Sequence, residues 1–135
     1  MLDLSKIENI YLAPGATDLR KSIDGCSNIV QYQMFLDPFS PSIFIFCNRT
    51  KTTIKVLEWD GNGFWLLYKR LEKGHFQFPI RDEGIATITK QQLRWLLEGL
   101  RMEQKKLLKT SYINTHKTLY LQSFYAHLWY NAYVW

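Results

Sequence analysis

The chain has 135 residues, 47% hydrophobic and 16% aromatic, with a formal net charge of +5 and a sequence pI near 9.2. It is long enough to bury one core and too apolar to be disordered, and its basic balance permits an anionic partner without demanding one. No stretch approaches the roughly 20 apolar residues of a membrane helix, the start lacks a secretory pattern, and Cys26 and Cys47 lack zinc-site spacing, so a cytoplasmic protein with reduced thiols is expected.

In chain order, residues 7–13 read as a short strand closed by Pro14-Gly15, a turn pair. Thr17-Asp18 offers an N-cap, with Asp18 placed against the helix dipole. Leu19, Ile23, Cys26, Val30 and Met34 then recur at helical spacing and predict one buried stripe. Pro38 and Pro41 end that helix. Residues 42–47 form an apolar run typical of a central strand, and 52–59 and 64–71 flank Asp60-Gly61-Asn62-Gly63, a strong hairpin signal. His75-Phe76-Gln77-Phe78 alternates as a further short strand. Thr89 with Gln92 fits a capping box, opening a helix whose apolar face is Leu93, Leu96, Leu97 and Leu100. The expected fold is α+β: an antiparallel β-meander of about four to five strands with helices packed on one face. Residues 1–100 form the expected core domain, and 101–135 a basic, then aromatic, helical extension.

The hairpin is the most informative local feature. A turn centred on Gly61-Asn62 pairs Trp59 with Phe64, Leu57 with Leu66 and Lys55 with Tyr68. Alternation then puts Lys55, Leu57, Trp59, Phe64, Leu66, Tyr68 and Arg70 on one face, and Ile54, Val56, Glu58, Trp65, Leu67 and Lys69 on the other. On the first face, rings edged by cations suit stacked bases and phosphates, although bulky apolar groups in a central hairpin also serve as core. Basic residues cluster further as Arg49/Lys51, Lys69-Arg70/Lys73 and Arg101/Lys105/Lys106/Lys109, and beyond Glu103 the chain has no acidic residue. The candidate nucleic-acid contacts are therefore Lys55, Trp59, Tyr68, Lys69, Arg70 and Lys73, joined by Arg20 and Arg49.

Catalytic readings lack support. The carboxylate groupings Asp18/Asp24, Glu58/Asp60 and Asp82/Glu83 either do not share a face or are explained by turns. His75, His116 and His127 accompany no nucleophile arrangement. Gly61-Asn62-Gly63 joins strands and lacks the helix that makes a Gly-rich loop bind phosphate. No enzyme, metal or cofactor is expected.

Residues 11–25 (Tyr11-Leu12-Ala13-Pro14-Gly15-Ala16-Thr17-Asp18-Leu19-Arg20-Lys21-Ser22-Ile23-Asp24-Gly25), with 36–40, 46–49 and the block 59–74, follow one another in a distinctive order and spacing. Together they resemble the TnpB-type accessory protein (second reading frame) of the insertion-sequence-sixty-six family of bacterial transposable elements, over roughly residues 7–100. The resemblance implies an accessory role in DNA transposition beside a separate acidic-triad transposase that performs strand transfer, with element-end DNA and that transposase as partners. It carries over no catalytic residue. The alternative it leaves open is a protein-interaction module that docks on the transposase without touching nucleic acid. The end departs from the family pattern: eight aromatics lie between Tyr112 and Trp135, with Leu121, Phe124, Tyr125, Leu128 and Trp129 at helical spacing. Self-association through this extension is a further expectation.

Overall fold

The middle of the chain supplies the central strand. Residues 42–47 lack polar alternation because both faces of that strand are covered, and in the computed structural model, which describes residues 2–79 and 84–103, Ser42–Cys47 is buried throughout. Five strands form one sheet: β1 (Asn9–Leu12), β2 (Ser42–Cys47), β3 (Thr53–Trp59), β4 (Phe64–Arg70) and β5 (Ala86–Ile88), in the order β4-β3-β2-β1-β5. The class is α+β, as expected, but the sheet is mixed. β1 runs parallel to β2, with Tyr11 opposite Phe44, while β2-β3, β3-β4 and β1-β5 are antiparallel. A pure meander is therefore corrected. Between β1 and β2 the chain passes through α1 (Ile23–Asn28) and a π-helical turn (Ile29–Gln33), the crossover a parallel pair requires.

The hairpin register matches the sequence reading residue for residue: Trp59 faces Phe64, Leu57 faces Leu66 and Lys55 faces Tyr68. Its turn closes through Asp60 N donating to Gly63 O at 3.0 Å, with Asp60 Oδ1 accepting from Asn62 N and Gly63 N. Gly61, at φ +105, takes a conformation that L side chains rarely adopt.

The two helices do not share a face. α1 packs on the side of β2 and β3 that carries Phe44, Phe46 and Leu57, where Cys26, Ile29, Val30 and Met34 complete a buried cluster. On the opposite side lie the buried Ile43, Ile45, Ile54 and Val56. Lys69, which that alternation also puts there, donates through Nζ to Leu97 O at 2.6 Å, at the end of α2 (Lys90–Leu97). Leu93, Leu96 and Leu97 are buried, and so are Phe76 and Phe78. Covering both faces removes more apolar surface from water than stacking both helices on one. The 75–78 alternation thus marks burial without a strand, and the fifth strand is 86–88.

α1 starts later than Asp18. That carboxylate accepts from Arg20 N at 3.0 Å and from the Arg20 guanidinium, a local turn that competes with capping; the N-cap position falls to Ser22. The Cys26/Val30/Met34 stripe persists because the π-turn adds one residue per turn and brings Ile29 inward too. Just beyond its C-cap, Met34, comes Phe35, whose φ of +56 and 84% exposure are unusual for an aromatic residue. The capping box at Thr89 and Gln92 is formed in both directions.

Burial pushes the Cys47 thiol up to about 11 and raises that of Cys26, so both are inert core groups. The expected helical extension, with its aromatic stripe, lies outside the described residues, as do Lys105, Lys106 and Lys109.

Candidate nucleic-acid interface

Parallel strands deliver their following loops to the same edge of a sheet, and such edges are where ligands bind in folds with parallel strands. The loops after β1 and β2 emerge side by side here, joined by Thr17 N donating to Cys47 O at 2.8 Å. With the start of β3 and the far end of β4 they enclose an open groove of about 580 Å³, lined by Thr17, Asp18, Arg20, Asn48, Arg49, Thr50, Thr53 and Tyr68, with Ala16 and Leu19.

Each loop is held by its own side chains. Asn48 Oδ1 accepts from Thr52 N at 3.0 Å and Thr53 N at 3.2 Å, while its Nδ2 donates to Thr52 Oγ1 at 3.2 Å. This occupies the amide oxygen and one amide N–H, and leaves Arg49 at an exposed loop position. In the other loop, Arg20 Nη2 donates to Asp18 Oδ2 at 2.6 Å, with the arginine side chain 92% accessible. Hydrogen bonds from the Arg20 side chain and backbone lower the Asp18 pKa to about 2, so the pair is ionised at any physiological pH. Surface pairs of this kind contribute little to stability. They do hold a guanidinium in place.

Tyr68 supplies the ring. It stands opposite Lys55 in the β3-β4 ladder, 58% accessible, with Lys55 Nζ 5.9 Å from the ring centroid. Lys55 Nζ also donates to Lys21 O at 2.9 Å, which fixes the ammonium beside the ring. Arg70 follows two positions on along the same face, paired with Glu72 at 2.9 Å in an exposed contact.

The eight candidate residues therefore divide. Arg20, Arg49 and Tyr68 line one groove, Lys55 backs the ring, and Arg70 extends the same face. Trp59 sits at the other end of the hairpin, half-buried, edge-on to Phe39 and Phe64 with both centroids at 4.9 Å. Lys69 is on the opposite face, capping the end of α2. Lys73 lies in the exposed turn after β4. Sequence reasoning missed Thr17, Asn48, Thr50 and Thr53 as groove residues. Nothing along the chain marks them, because a parallel pairing brings their loops together.

Lys69→Met tests this division. A cation at a helix C-terminus contributes about 0.3–1 kcal/mol, so urea denaturation should show a loss of that size, with nucleic-acid affinity unchanged within about twofold by the same scale of effects. An affinity loss matching that of Arg49→Ala would return Lys69 to the interface.

Among the described residues no three His, Cys, Asp or Glu side chains gather as metal ligands would, and no helix is long and apolar enough to cross a membrane. The family model described as "IS66 Orf2 like protein" matches residues 8–107. The uncharacterized protein y4hO of Sinorhizobium fredii (strain NBRC 101917 / NGR234) is 33% identical over 100 residues, covering 74% of this chain and 87% of that protein. The uncharacterized protein y4jC of the same strain is 29% identical over 100 residues, covering 74% and 86%. No solved structure matches.

Proposed function

The chain belongs to the IS66 Orf2-like family, the accessory proteins of an insertion sequence, and from that membership we propose that it is a non-catalytic nucleic-acid-binding protein that assists a separate transposase. The observation that carries this reading is the groove in which Arg20, Arg49 and Tyr68 meet, with Lys55 over the ring. Guanidinium groups bind phosphate oxygens in charge-assisted, often paired hydrogen bonds. An exposed ring beside them offers a base its π-face. The groove has the donors to hold a backbone, and none of its chemistry requires a metal or a nucleophile.

Retardation of element-end DNA across a salt series tests the proposal, with random DNA as control. Each phosphate neutralised on duplex DNA contributes about −0.9 to the slope of log K against log salt, and about −0.7 on single strands. The expected result is binding that weakens steeply with salt. Binding that is absent, or flat across the series, overturns it.

A second reading, docking on the transposase without nucleic-acid contact, is favoured by a different feature. Phe35 and Phe39 are 84% and 55% accessible and line a second depression of about 450 Å³ with Leu36, Asp37 and Pro38. Exposed aromatics of this kind anchor protein interfaces. Co-purification with the transposase, lost on Phe35→Ala/Phe39→Ala, supports this reading, and co-purification untouched by that change removes it.

A further inference from the structure

We infer that the groove selects single-stranded nucleic acid over duplex and does so with little preference for base sequence. This rests on the nucleic-acid reading above and states which form of nucleic acid the site takes.

The first argument is shape. Proteins that read duplex DNA insert a convex element, a helix or a two-stranded ribbon, into a major groove about 12 Å wide. Among the described residues the convex elements carry the wrong charges. The hairpin tip 60–63 presents Asp60 and no cation, and Asp60 is held by Trp65 Nε1 at 2.6 Å. α1 contains Asp24 and no Lys or Arg, and the π-turn that follows has neither. On α2, Arg94 is buried, leaving Lys90 at the exposed start. Instead Arg20 and Arg49 border a depression of about 580 Å³, a size in the range of roughly 300–1,000 Å³ typical of small-molecule sites. A splayed nucleotide fits such a space and can lay its base on the exposed Tyr68 ring, whereas the bases of a duplex stay stacked on one another.

The second argument is the ring. Tyr68 stands on β4, an edge strand of the sheet, and more than half of it is accessible while Lys55 sits over it. An unpaired base can stack there with its phosphates at Arg20 and Arg49.

The third argument concerns sequence. Asn and Gln amides are the side chains suited to reading adenine edges, and arginine reads guanine when it approaches a base edge in plane. The one side-chain amide in the groove, Asn48, has its oxygen and one of its N–H groups committed to its own loop, so it lacks the free acceptor that paired recognition of adenine needs. Arg20 is oriented by Asp18 from the side. What remains is stacking and charge, which every base and every phosphodiester satisfies.

The test is fluorescence anisotropy on the full chain with labelled oligonucleotides: oligo-dT, a mixed-sequence single strand, oligo-rU and the blunt duplex of the mixed sequence. Single strands are expected to bind at least about tenfold tighter than duplex, with oligo-dT and the mixed strand within about threefold of each other. Oligo-rU reports which sugar the groove accepts, and its binding above duplex also supports the inference. Tyr68→Ala should weaken single-strand binding by about 5- to 150-fold, the loss of one base stack, and Tyr68→Phe should retain it. Circular dichroism confirms that both variants fold. Duplex binding equal to or tighter than single-strand binding, or equal losses in Tyr68→Ala and Tyr68→Phe, overturns this inference while leaving the nucleic-acid reading in place. No binding to any of the four probes overturns both.

Discussion

Truncating Phe44 to Ala is expected to lower the unfolding free energy by about 3–5 kcal/mol. Phe44 sits in the middle strand of the sheet at 0% exposure, part of the cluster that includes Cys26, Val30, Met34 and Leu57. Its ring stacks on Tyr11 across the parallel β1-β2 pair, with centroids 5.6 Å apart and planes 13° from parallel. Removing it withdraws apolar area from the core and leaves a void that a central strand, fixed on both sides by ladders, cannot close. Domains of this size have only about 5–15 kcal/mol of stability, so the loss is a large fraction. With a urea m-value of about 1–3 kcal/mol/M, the midpoint should fall by more than about 1 M. Trp65→Ala is the comparator: Trp65 is 51% exposed on the edge strand, and its replacement should cost much less. A loss below about 1 kcal/mol for Phe44→Ala would mean that α1 does not pack where the structure places it.

Reversing both groove arginines, Arg20→Glu with Arg49→Glu, is expected to weaken nucleic-acid binding by at least about 100-fold, because hydrogen bonds to charged partners are worth about 1.5–3 kcal/mol each. Repulsion from the introduced carboxylates adds to that. The salt slope should flatten by about 0.7 on single strands for each phosphate no longer neutralised, with Arg49, which stands outside the groove's Arg20–Asp18 ion pair, contributing first. Both positions are exposed loop residues, so denaturation midpoints should stay close to the parent's. The pattern distinguishes an interface from a folding defect. Unchanged binding in a variant that still folds would remove the groove from the proposal.

Much of this was legible along the chain, and the reason is local chemistry. Asp60-Gly61-Asn62-Gly63 sets its own turn through short-range hydrogen bonds, so the β3-β4 register and the residues on each hairpin face follow without knowledge of the rest. The capping box at Thr89 and the apolar stripe of α1 are equally short-range. α1 starts later than the sequence predicts because Asp18 has two local partners to choose from, and the Arg20 turn wins over the cap. The 75–78 segment alternates without being a strand because period-2 burial reports covered side chains and says nothing of ladder partners.

The amino-acid sequence by itself determined the family, the α+β class, the hairpin and the presence of cations beside rings. Tertiary structure alone decided which cations line one groove. Whether β1 joins β2 in parallel is settled by how a helix between them covers the sheet, a long-range competition for buried area. That one choice brings the Arg20 and Arg49 loops to the same edge as Tyr68. Tertiary packing also sets Phe39 against Trp59 and brings the end of α2 to Lys69, which alternation along β4 already puts on the far face. Spacing along a strand tells which side of a sheet a residue takes; only the packed layers tell what covers that side.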